Sequence, residues 1–559
     1  MSPKRISALE ELRVVERPVL PSVFGRSGAR VEVETTASVV LVADQNGIAE
    51  RFPNSFGQPF LNFTNAAGTR DYAATATAVI LSGGQAPGGH NVVAGLFDGL
   101  KSLNPDNQLF GFLGGPDGLV TGKVRDLTGS VIDGYRNTGG FDMIGSGRGK
   151  IERAEQFDAV REVCESRNIS AVVIIGGDDS NTNAAILAEH FQATGSEIQV
   201  IGCPKTIDGD LKNACIEASF GFDTASKVYS YLIGNVARDA ASAQKYWHFL
   251  KLMGRSASHI TLECALQTQP NIALISEEVA ARGQTLDEII DDICDVIVQR
   301  AKDRRNYGIA LVPEGLIEFI PEMQGLIREL NELLAAHDTR EFRNAMSRAA
   351  SETELTEKGL TAQAAAVYLK LPRNIRAQLV HERDSHGNVP VSSIETEKLL
   401  TAMVSARLAK ATANGGPKVK FQAQHHFFGY EGRCSSPSNF DTNYAYSLGY
   451  TAAALIGCGR TGYLARIARL ISPAADWVPG GVPISAMLTM ERRQGETKSV
   501  IGKALVNLAG RPFAEFAAGR KEWKINDCYV YTGPIQFFGP PALCDATTET
   551  LHLEQTAAE

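Results

Sequence analysis

The chain has 559 residues, which is too long for one ordinary hydrophobic core, so at least two domains are expected. Its 44% hydrophobic and 21% charged residues are typical of a globular protein, and a net charge of −8 argues against non-specific binding to nucleic acid. No apolar run reaches the length of a membrane helix. Nine scattered cysteines without a CxxC pair disfavour a zinc site and suit a cytoplasmic protein.

The first 70 residues are predicted to be an N-terminal extension. A helix is expected to begin within Leu9 to Val15, and residues 31–34 alternate like an edge strand. No residue pattern in this segment indicates chemistry.

From residue 78 onward, apolar strands alternate with helical segments. Strands are predicted at 78–81, 109–113, 171–175 and 198–202, and helices at 92–100 and 155–167. This alternation predicts a mainly parallel, doubly wound sheet.

A glycine-rich turn follows the first of these strands, at residues 82–91, Ser-Gly-Gly-Gln-Ala-Pro-Gly-Gly-His-Asn. Strand, glycine-rich turn and helix is an arrangement that binds phosphates through backbone N–H groups. It is neither a Walker A loop nor a dinucleotide fingerprint. Gly83, Gly84 and Gly88 are candidates for phosphate contact, with a simple tight turn as the alternative.

Two further strand ends carry acidic residues. Gly-Gly-Asp-Asp-Ser stands at 176–180, and Pro-Lys-Thr-Ile-Asp-Gly-Asp at 204–210. Ligands bind at the carboxyl ends of parallel strands, and close carboxylates repel each other unless a cation or shared proton relieves them. Helix capping and turn formation explain one or two aspartates, but not four beside a lysine. The pattern therefore indicates metal-assisted phosphoryl transfer, with Asp208 as a candidate base.

A second α/β set follows. Helices are predicted at 218–232 and 286–300, and strands at 247–253, 272–275 and 308–312 that end in polar or glycine-bearing turns. Residues 321–419 have helical periodicity and are predicted to be a mostly helical insertion. The α/β pattern returns at 419–429.

The predicted fold class is α/β, with two doubly wound, Rossmann-like, three-layer domains and a cleft between them. The boundaries are 1–70 for the extension; 71–222, with part of 434–500, for a phosphate-donor domain; 223–320 and 420–433, with part of 501–559, for a second domain; and 321–419 for the insertion.

Five motifs occur in the order found in the phosphofructokinase family, each after a predicted strand. They are residues 176–180, 205–210, 253–255 (Met-Gly-Arg), 313–315 (Pro-Glu-Gly) and 430–433 (Tyr-Glu-Gly-Arg). The chain resembles the long, pyrophosphate-dependent form of this family from about residue 78 to 462. The resemblance implies Mg²⁺-dependent, reversible phosphoryl transfer from pyrophosphate to the 1-hydroxyl of fructose 6-phosphate, by a homodimer or higher homo-oligomer.

The resemblance also implies a role for each matching residue. Asp208 is expected to be the base, with Thr206 and Asp210 as its partners, and Asp178 to be the magnesium-site acid. The remaining roles are contacts to phosphate or sugar: Gly84 and Arg148 to the transferring phosphate; Met253, Gly254 and Arg255 to the sugar phosphate; Glu314 to sugar hydroxyls; Arg433 to the 6-phosphate. Arg255 is also a catalytic candidate, and Tyr430 is a substrate-binding candidate beside Arg433.

Asp179 and Lys205 favour pyrophosphate over ATP as the donor. ATP-dependent members of the family typically have Gly in place of Asp179 and a small residue in place of Lys205. A carboxylate fills the space near the α-phosphate of a nucleotide and repels it, while the lysine offers a cation to a free terminal phosphate. Repulsion combined with attraction is an effective basis for specificity.

The chain departs from the short ATP-dependent pattern at three positions: Tyr430 replaces a phosphate-binding His, while Tyr246 and Gln424 stand where arginines of a neighbouring subunit align. Lys245, Lys251 or the insertion are possible replacements. Two late basic residues, Lys498 and Lys503, are candidates for the site, although solvated helix faces are the favoured interpretation. An ATP-dependent 6-phosphofructokinase and a non-catalytic regulatory subunit are the alternative functions.

Overall fold

The computed structural model of the chain describes residues 7–25, 27–36, 45–66, 71–337, 339–383, 388–493 and 496–556. Parts of the predicted extension and insertion therefore lie outside the described residues. The described chain divides into two compact units, of which the first comprises 1–228, 430–504 and 535–552, and the second 229–429, 505–534 and the last residues.

The described residues form 16 strands. These are β1 Val31–Thr36, β2 Phe60–Asn65, β3 Ala76–Leu81, β4 Gln108–Phe112, β5 Val124–Asp126, β6 Ile169–Gly176, β7 Gln199–Thr206, β8 Phe220–Gly221, β9 Tyr246–Leu252, β10 Ile272–Ala273, β11 Tyr307–Pro313, β12 Ala423–Phe428, β13 Tyr463–Ala468, β14 Val478–Pro483, β15 Leu488–Arg493 and β16 Glu496–Ile501.

The helices of the described residues number 22. They are α1 Ala8–Val15, α2 Gln45–Arg51, α3 Gly89–Leu103, α4 Pro116–Thr121, α5 Gly129–Asp133, α6 Ala154–Ser166, α7 Asp178–Ala193, α8 Phe222–Ala243, α9 His259–Thr268, α10 Ser276–Ala281, α11 Leu286–Lys302, α12 Pro321–Ala336, α13 Arg340–Arg348, α14 Glu352–Glu357, α15 Ala362–Lys370, α16 Arg373–His381, α17 Thr396–Ala413, α18 Tyr430–Arg433, α19 Asn439–Gly457, α20 Arg511–Trp523, α21 Pro541–Cys544 and α22 Glu549–Thr556.

The first unit is built on a mixed sheet with the order β1-β2-β14-β13-β7-β6-β3-β4-β5, and β8 pairs with β7 beside this path. The central strands β13, β7, β6, β3 and β4 are parallel. Every residue of β3 is buried, so both faces of the sheet are covered by other elements. This is the doubly wound arrangement that the alternating sequence pattern predicts.

Helices α3 and α19 pack against each other at unusually close range. A side chain on Gly95 of α3 would meet the carbonyl oxygen of Tyr446 at 2.1 Å, and one on Gly449 of α19 would meet that of Val92 at 2.1 Å. Glycine at both positions therefore lets the two backbones touch. The contact fixes α3, which begins directly after the glycine-rich turn.

The N-terminal extension is part of the sheet. Strand β1 pairs with β2, and β2 pairs antiparallel with β14, so residues 31–36 form an edge of the sheet. The helix at 8–15 and the strand from residue 31 lie where the sequence predicts them.

A buried carboxylate ties the extension to helix α7. Glu189 accepts hydrogen bonds from the backbone N–H and side-chain amide of Asn54, at 2.9 and 2.7 Å, and from the N–H and hydroxyl of Ser55, at 3.0 and 2.7 Å. Four donors satisfy both oxygens of one carboxylate. The extension thereby braces a helix whose first residue is Asp178.

The second unit contains a parallel sheet with the order β10-β11-β9-β12. Helices α12 to α17, which fill the predicted insertion, share one hydrophobic core with this sheet and with α11. Leu330, Tyr368 and Leu400 of the insertion are buried in the same cluster as Trp247 and Ala310 of the strands. The insertion is therefore packed into the second unit and is not a separate core.

The chain ends differ from the predicted boundaries. The sequence pattern grouped residues 420–433 and part of 501–559 with the second domain; residues 430–433 cluster with the first unit, and of the C-terminal part 505–534 cluster with the second unit and 535–552 with the first. Within the described residues, no helix is both apolar enough and long enough to span a bilayer.

We expect Glu189→Ala to lower the free energy of unfolding of the first unit by about 2–4 kcal/mol, because two backbone N–H groups lose a charged acceptor. Denaturant unfolding monitored by circular dichroism measures this loss. Glu197→Ala, which removes an exposed glutamate from the same region, is the matched control and should change stability by less than about 0.5 kcal/mol. Equal stability of the two variants would show that the hydrogen bonds of Glu189 contribute nothing to the stability of the first unit.

Candidate active site

The candidate site of the first unit lies where three neighbouring strands end. Strands β7, β6 and β3 are adjacent in the sheet and parallel. Strand β3 leads into the turn at Gly83 and Gly84, β6 is followed by Asp178, and β7 ends with Lys205 and Thr206. Because parallel strands end at the same edge, three segments that are distant in the sequence meet there.

The glycine-rich turn is held in place by its neighbours. The N–H of Ser82 donates to the carbonyl of Ile175 at 2.8 Å, and that of Gly83 donates to the carbonyl of Gly147 at 2.8 Å. Gly83 has φ of +83°, a conformation that favours glycine. The ammonium of Lys205 lies 3.3 Å from the position that a side chain on Gly83 would occupy.

Arg433 lies against the same turn. A side chain on Gly84 would come within 2.2 Å of its Nη2, and its Nε donates to the carbonyl of Gln85 at 3.4 Å. The guanidinium carbon is 5.5 Å from the centre of the Tyr430 ring, which is 67% exposed. Tyr430 is thus not a core aromatic residue. Within the first unit, Arg433 stands close to the glycine turn, and its assignment to the 6-phosphate stays a prediction.

Asp178 and Asp179 occupy the first turn of helix α7, where the partial positive charge of a helix N-terminus favours negative groups. Burial raises the pKa of Asp178 above its ordinary value, and the charges of Asp179 and Asp210 add to that rise, whereas Lys503 opposes it. Asp179 is 54% exposed, and its Oδ1 lies 3.7 Å from Nζ of Lys150. Lys150 is therefore not a purely solvated surface residue, while Arg148 nearby is exposed.

Lys205 is the most buried cation of this region. Its side chain is 6% exposed, and burial lowers its pKa to about 8, even though Asp208, Asp178 and Asp210 oppose that change. The neighbouring charge of Arg433 contributes to the decrease. A lysine held this way is a compact positive charge at the end of β7, next to the glycine turn.

The loop after β7 brings three residues into one hydrogen-bonded turn. Thr206 Oγ1 donates to Asp210 Oδ1 at 3.2 Å and accepts from the N–H of Asp208 at 3.0 Å. Gly209, between the two acids, has φ of +74°. The turn fixes the backbone of Asp208 while Asp210 is buried, which agrees with the partnership that the motif implies.

Lys503 contacts two of the candidate site acids, a position that the sequence analysis did not favour for it. Its Nζ lies 3.7 Å from Asp178 Oδ2 and 3.8 Å from Asp210 Oδ2. The favoured interpretation, a solvated helix face, was wrong, because residues 502–507 follow strand β16 as irregular chain. No local pattern could have revealed it, since the contact joins residues some 300 positions apart.

The two acids that flank Lys503 also suit a magnesium ion. Mg²⁺ is usually bound by one or two carboxylates together with substrate phosphates and water. Asp178 and Asp210 already surround one positive charge, so the position between them accommodates a cation. No cluster of three or more His, Cys, Asp or Glu side chains with metal-binding geometry occurs in the described part of the chain. The residues present fit a metal shared with substrate phosphate.

In the second unit, Glu314 and the Met-Gly-Arg motif are joined directly. Glu314 is buried, and its Oε2 accepts a hydrogen bond from the N–H of Gly254 at 3.0 Å. Gly254 has φ of +129°, and a side chain on Gly315 would meet the carbonyl oxygen of Arg255 at 1.9 Å. Met253 N–H donates to the carbonyl of Phe428 at 3.0 Å. The exposed Arg255 side chain is thus carried on a tightly fixed backbone.

The proposed replacements for the missing arginines behave differently from one another. Lys251 is buried, donates to the carbonyl of Ile394 at 3.1 Å and lies 3.8 Å from Glu397. The contacts of this cation are therefore with residues of the insertion. Lys245 lies over the ring of Tyr246, at 5.2 Å from its centre. Gln424 is on the exposed part of β12.

Comparison with known proteins defines the class. The family model described as phosphofructokinase matches residues 76–456, and the chain belongs to this family. The pyrophosphate–fructose 6-phosphate 1-phosphotransferase of Porphyromonas gingivalis is 52% identical over 549 residues, covering 98% of this chain and 99% of that protein. Relatives of the same name in Treponema pallidum and Entamoeba histolytica are 51% and 48% identical, covering 99% and 98% of this chain and 98% and 100% of theirs.

Solved structures agree on the fold. The pyrophosphate-dependent phosphofructokinase of Nitrosospira multiformis matches with a TM-score of 0.54 and 16% identity, over 86% of this chain and 97% of that chain. That of Marinobacter aquaeolei matches with a TM-score of 0.50 and 16% identity, over 74% and 83% of the two chains. These structures confirm the predicted fold class, and the family model and the relatives confirm the predicted family.

Proposed function

We propose that this chain is an enzyme that transfers a phosphoryl group from pyrophosphate to the 1-hydroxyl of fructose 6-phosphate, giving fructose 1,6-bisphosphate and phosphate. The observation that carries the proposal is the buried Lys205 ammonium beside the glycine-rich turn and the strand-end carboxylates. Full-length relatives at about half identity, named for this reaction, support it. The presence of Asp178, Asp208 and Arg255 disfavours a non-catalytic subunit.

In the proposed reaction, Asp208 accepts the proton of the sugar 1-hydroxyl, and the hydroxyl oxygen forms a bond to the nearer phosphorus of pyrophosphate. The bond between that phosphorus and the bridging oxygen breaks at the same time. Phosphate is the leaving group. Phosphoryl transfer depends mostly on positioning and charge neutralisation, so the protein needs no covalent intermediate. Thr206 holds the backbone N–H of Asp208 and the carboxylate of Asp210. Asp178 and Asp210 would hold a Mg²⁺ ion, which when bound would neutralise charge on the phosphate oxygens.

The proposed substrate contacts fall into two sets. We assign the donor to the first unit, through the Gly84 turn, Arg148 and Lys205. We assign the sugar phosphate to Met253, Gly254 and Arg255, and its hydroxyls to Glu314, whose other hydrogen bond keeps it aligned. Arginine suits a phosphate contact because its planar fork binds two oxygens. Arg433 and Tyr430 are assigned to the 6-phosphate.

The donor preference is assigned to Asp179 and Lys205. Asp179 fills the space that the α-phosphate of ATP needs and repels it, whereas Lys205 attracts a free terminal phosphate. We further propose a cytoplasmic homo-oligomer. All nine cysteines are free thiols, which fits a reducing compartment, and plant relatives are named as subunits.

A coupled assay that compares kcat/KM for pyrophosphate and ATP tests the function. We expect wild-type protein to use pyrophosphate at least about 30-fold more efficiently, since the repulsive and attractive groups each contribute about 1–3 kcal/mol. The double variant Asp179→Gly with Lys205→Gly should shift the ratio toward ATP. Comparable wild-type efficiencies with both donors would refute the donor assignment, and an unchanged ratio in the variant would place discrimination elsewhere.

The base assignment predicts that Asp208→Ala lowers kcat by about 10³-fold, because general base catalysis typically contributes 10²–10⁴-fold. Binding of fructose 6-phosphate, measured by calorimetry, should survive, since Asp208 is not among the cationic phosphate contacts. Asp106→Ala, which removes an exposed acid from a loop of the same unit, is the control. A variant that keeps most of its turnover would exclude Asp208 as the base.

The lowered pKa of Lys205 predicts a pH dependence. A lysine is charged below its pKa, so raising the pH through about 8 removes the positive charge that attracts pyrophosphate. We expect kcat/KM for pyrophosphate, which reports the free enzyme, to fall above about pH 8. Lys205→Arg should lose this fall because arginine stays charged. Identical profiles for the two proteins would assign the alkaline limb to another group, the ionisation of pyrophosphate included.

A further inference from the structure

Lys503 lies in the donor site without belonging to any of the five motifs. Its ammonium stands between the carboxylates of Asp178 and Asp210, at 3.7 and 3.8 Å, and its side chain is 30% exposed. Asp178 begins helix α7 after β6, whereas Asp210 closes the loop after β7. One cation thus bridges the two strand ends that carry the site acids.

The backbone on both sides of Lys503 is anchored to the same two elements. The N–H of Ile501 donates to Thr182 Oγ1 on α7 at 3.1 Å, and Ile501 itself is 2% exposed in the core of the first unit. The N–H of Ala504 donates to the carbonyl of Asp210 at 2.8 Å. Such anchoring within two residues makes the position of Lys503 a built feature of the site, not a chance contact of a surface lysine.

The electrostatics of the site require another cation. Four aspartates follow strands β6 and β7, and pyrophosphate brings several more negative charges, which repel each other strongly in a partly buried site. Lys205 is almost fully buried, so its reach is limited. A partly exposed lysine on a long flexible stem can move from carboxylate to phosphate over a few ångströms.

On the basis of the function proposed above, we propose that Lys503 is a donor-binding residue: it neutralises Asp178 and Asp210 in the free protein and binds pyrophosphate oxygens when the donor enters. Strands β15 and β16 position Lys503, since β16 ends two residues before it. The proposed donor site is then assembled from five segments of the chain, the last lying almost 300 residues beyond Asp210.

Direct binding of pyrophosphate, measured by calorimetry with and without Mg²⁺, tests the proposal. Lys503→Met should weaken pyrophosphate binding by about 10-fold or more, the usual effect of losing one charge-assisted contact. Lys503→Arg should recover most of the affinity. Mg²⁺ titrated alone should bind Lys503→Met at least as tightly as wild type, because the competing ammonium is gone. General destabilisation of the site would instead weaken Mg²⁺ binding.

Lys498→Met is the matched control. It makes the same change of charge and shape on β16, at a position opposite Glu491 in the strand register. We expect the pyrophosphate affinity of Lys498→Met to stay within about twofold of wild type. The KM for fructose 6-phosphate should also stay within about twofold of wild type, in both Lys498→Met and Lys503→Met.

The proposal is overturned if Lys503→Met binds pyrophosphate within about twofold of wild type, or if Lys498→Met loses as much affinity. It is also overturned if Lys503→Arg, with an unchanged melting temperature, binds no better than the methionine variant. Failure of wild-type protein to turn over pyrophosphate would instead refute the proposed function. In that event the calorimetric comparison still decides whether Lys503 binds the anion.

Discussion

The concentration of negative charge at the ends of β6 and β7 is the constraint on which the rest of the site depends. Carboxylates that stand this close are tolerated only when cations compensate them. In the first unit that compensation comes from separate parts of the chain: Lys205 at the end of β7, Lys150 beside Asp179, and Lys503 between Asp178 and Asp210. An anionic donor can replace the carboxylates as the partner of these lysines, and a metal can replace the lysines as the partner of the carboxylates. Few charges in the site are then without an opposite charge nearby.

The architecture of the first unit holds this charge cluster rigidly. Helix α7 carries two of the acids on its first turn, and three segments contact it: strand β6, the extension through Glu189, and the end of β16 through Thr182. The extension and strands β15 and β16 therefore have a common structural role, which is to position helix α7. They determine where the N-terminus of α7 points, and a displacement of about 1 Å there is costly for positioning a phosphoryl group.

Much of the fold and part of the site could be predicted from the sequence because the signals are local. Strand ends followed by glycines or acids are visible in a few consecutive residues, and the Thr206 turn needs only positions 206–210. Lys503 and Arg433 could not be placed in this way. Their positions depend on the path of the chain from β13 to β16 and on where α18 packs, which no short pattern encodes. The same reason explains why residues 535–552 belong to the first unit.

The pairing of Lys150 with Asp179 refines the account of donor selection. A lone carboxylate would repel the α-phosphate of a nucleotide strongly, but the lysine 3.7 Å away reduces its net charge. Both side chains are about half exposed, so solvent screens the pair and its attraction is weak. Under the proposed function, we therefore expect the steric part of the Asp179 contribution to outweigh its charge repulsion, because the side chain fills the first turn of α7 where a glycine would leave room. The proposed attraction for pyrophosphate is then assigned to the buried Lys205, in surroundings that screen its charge far less.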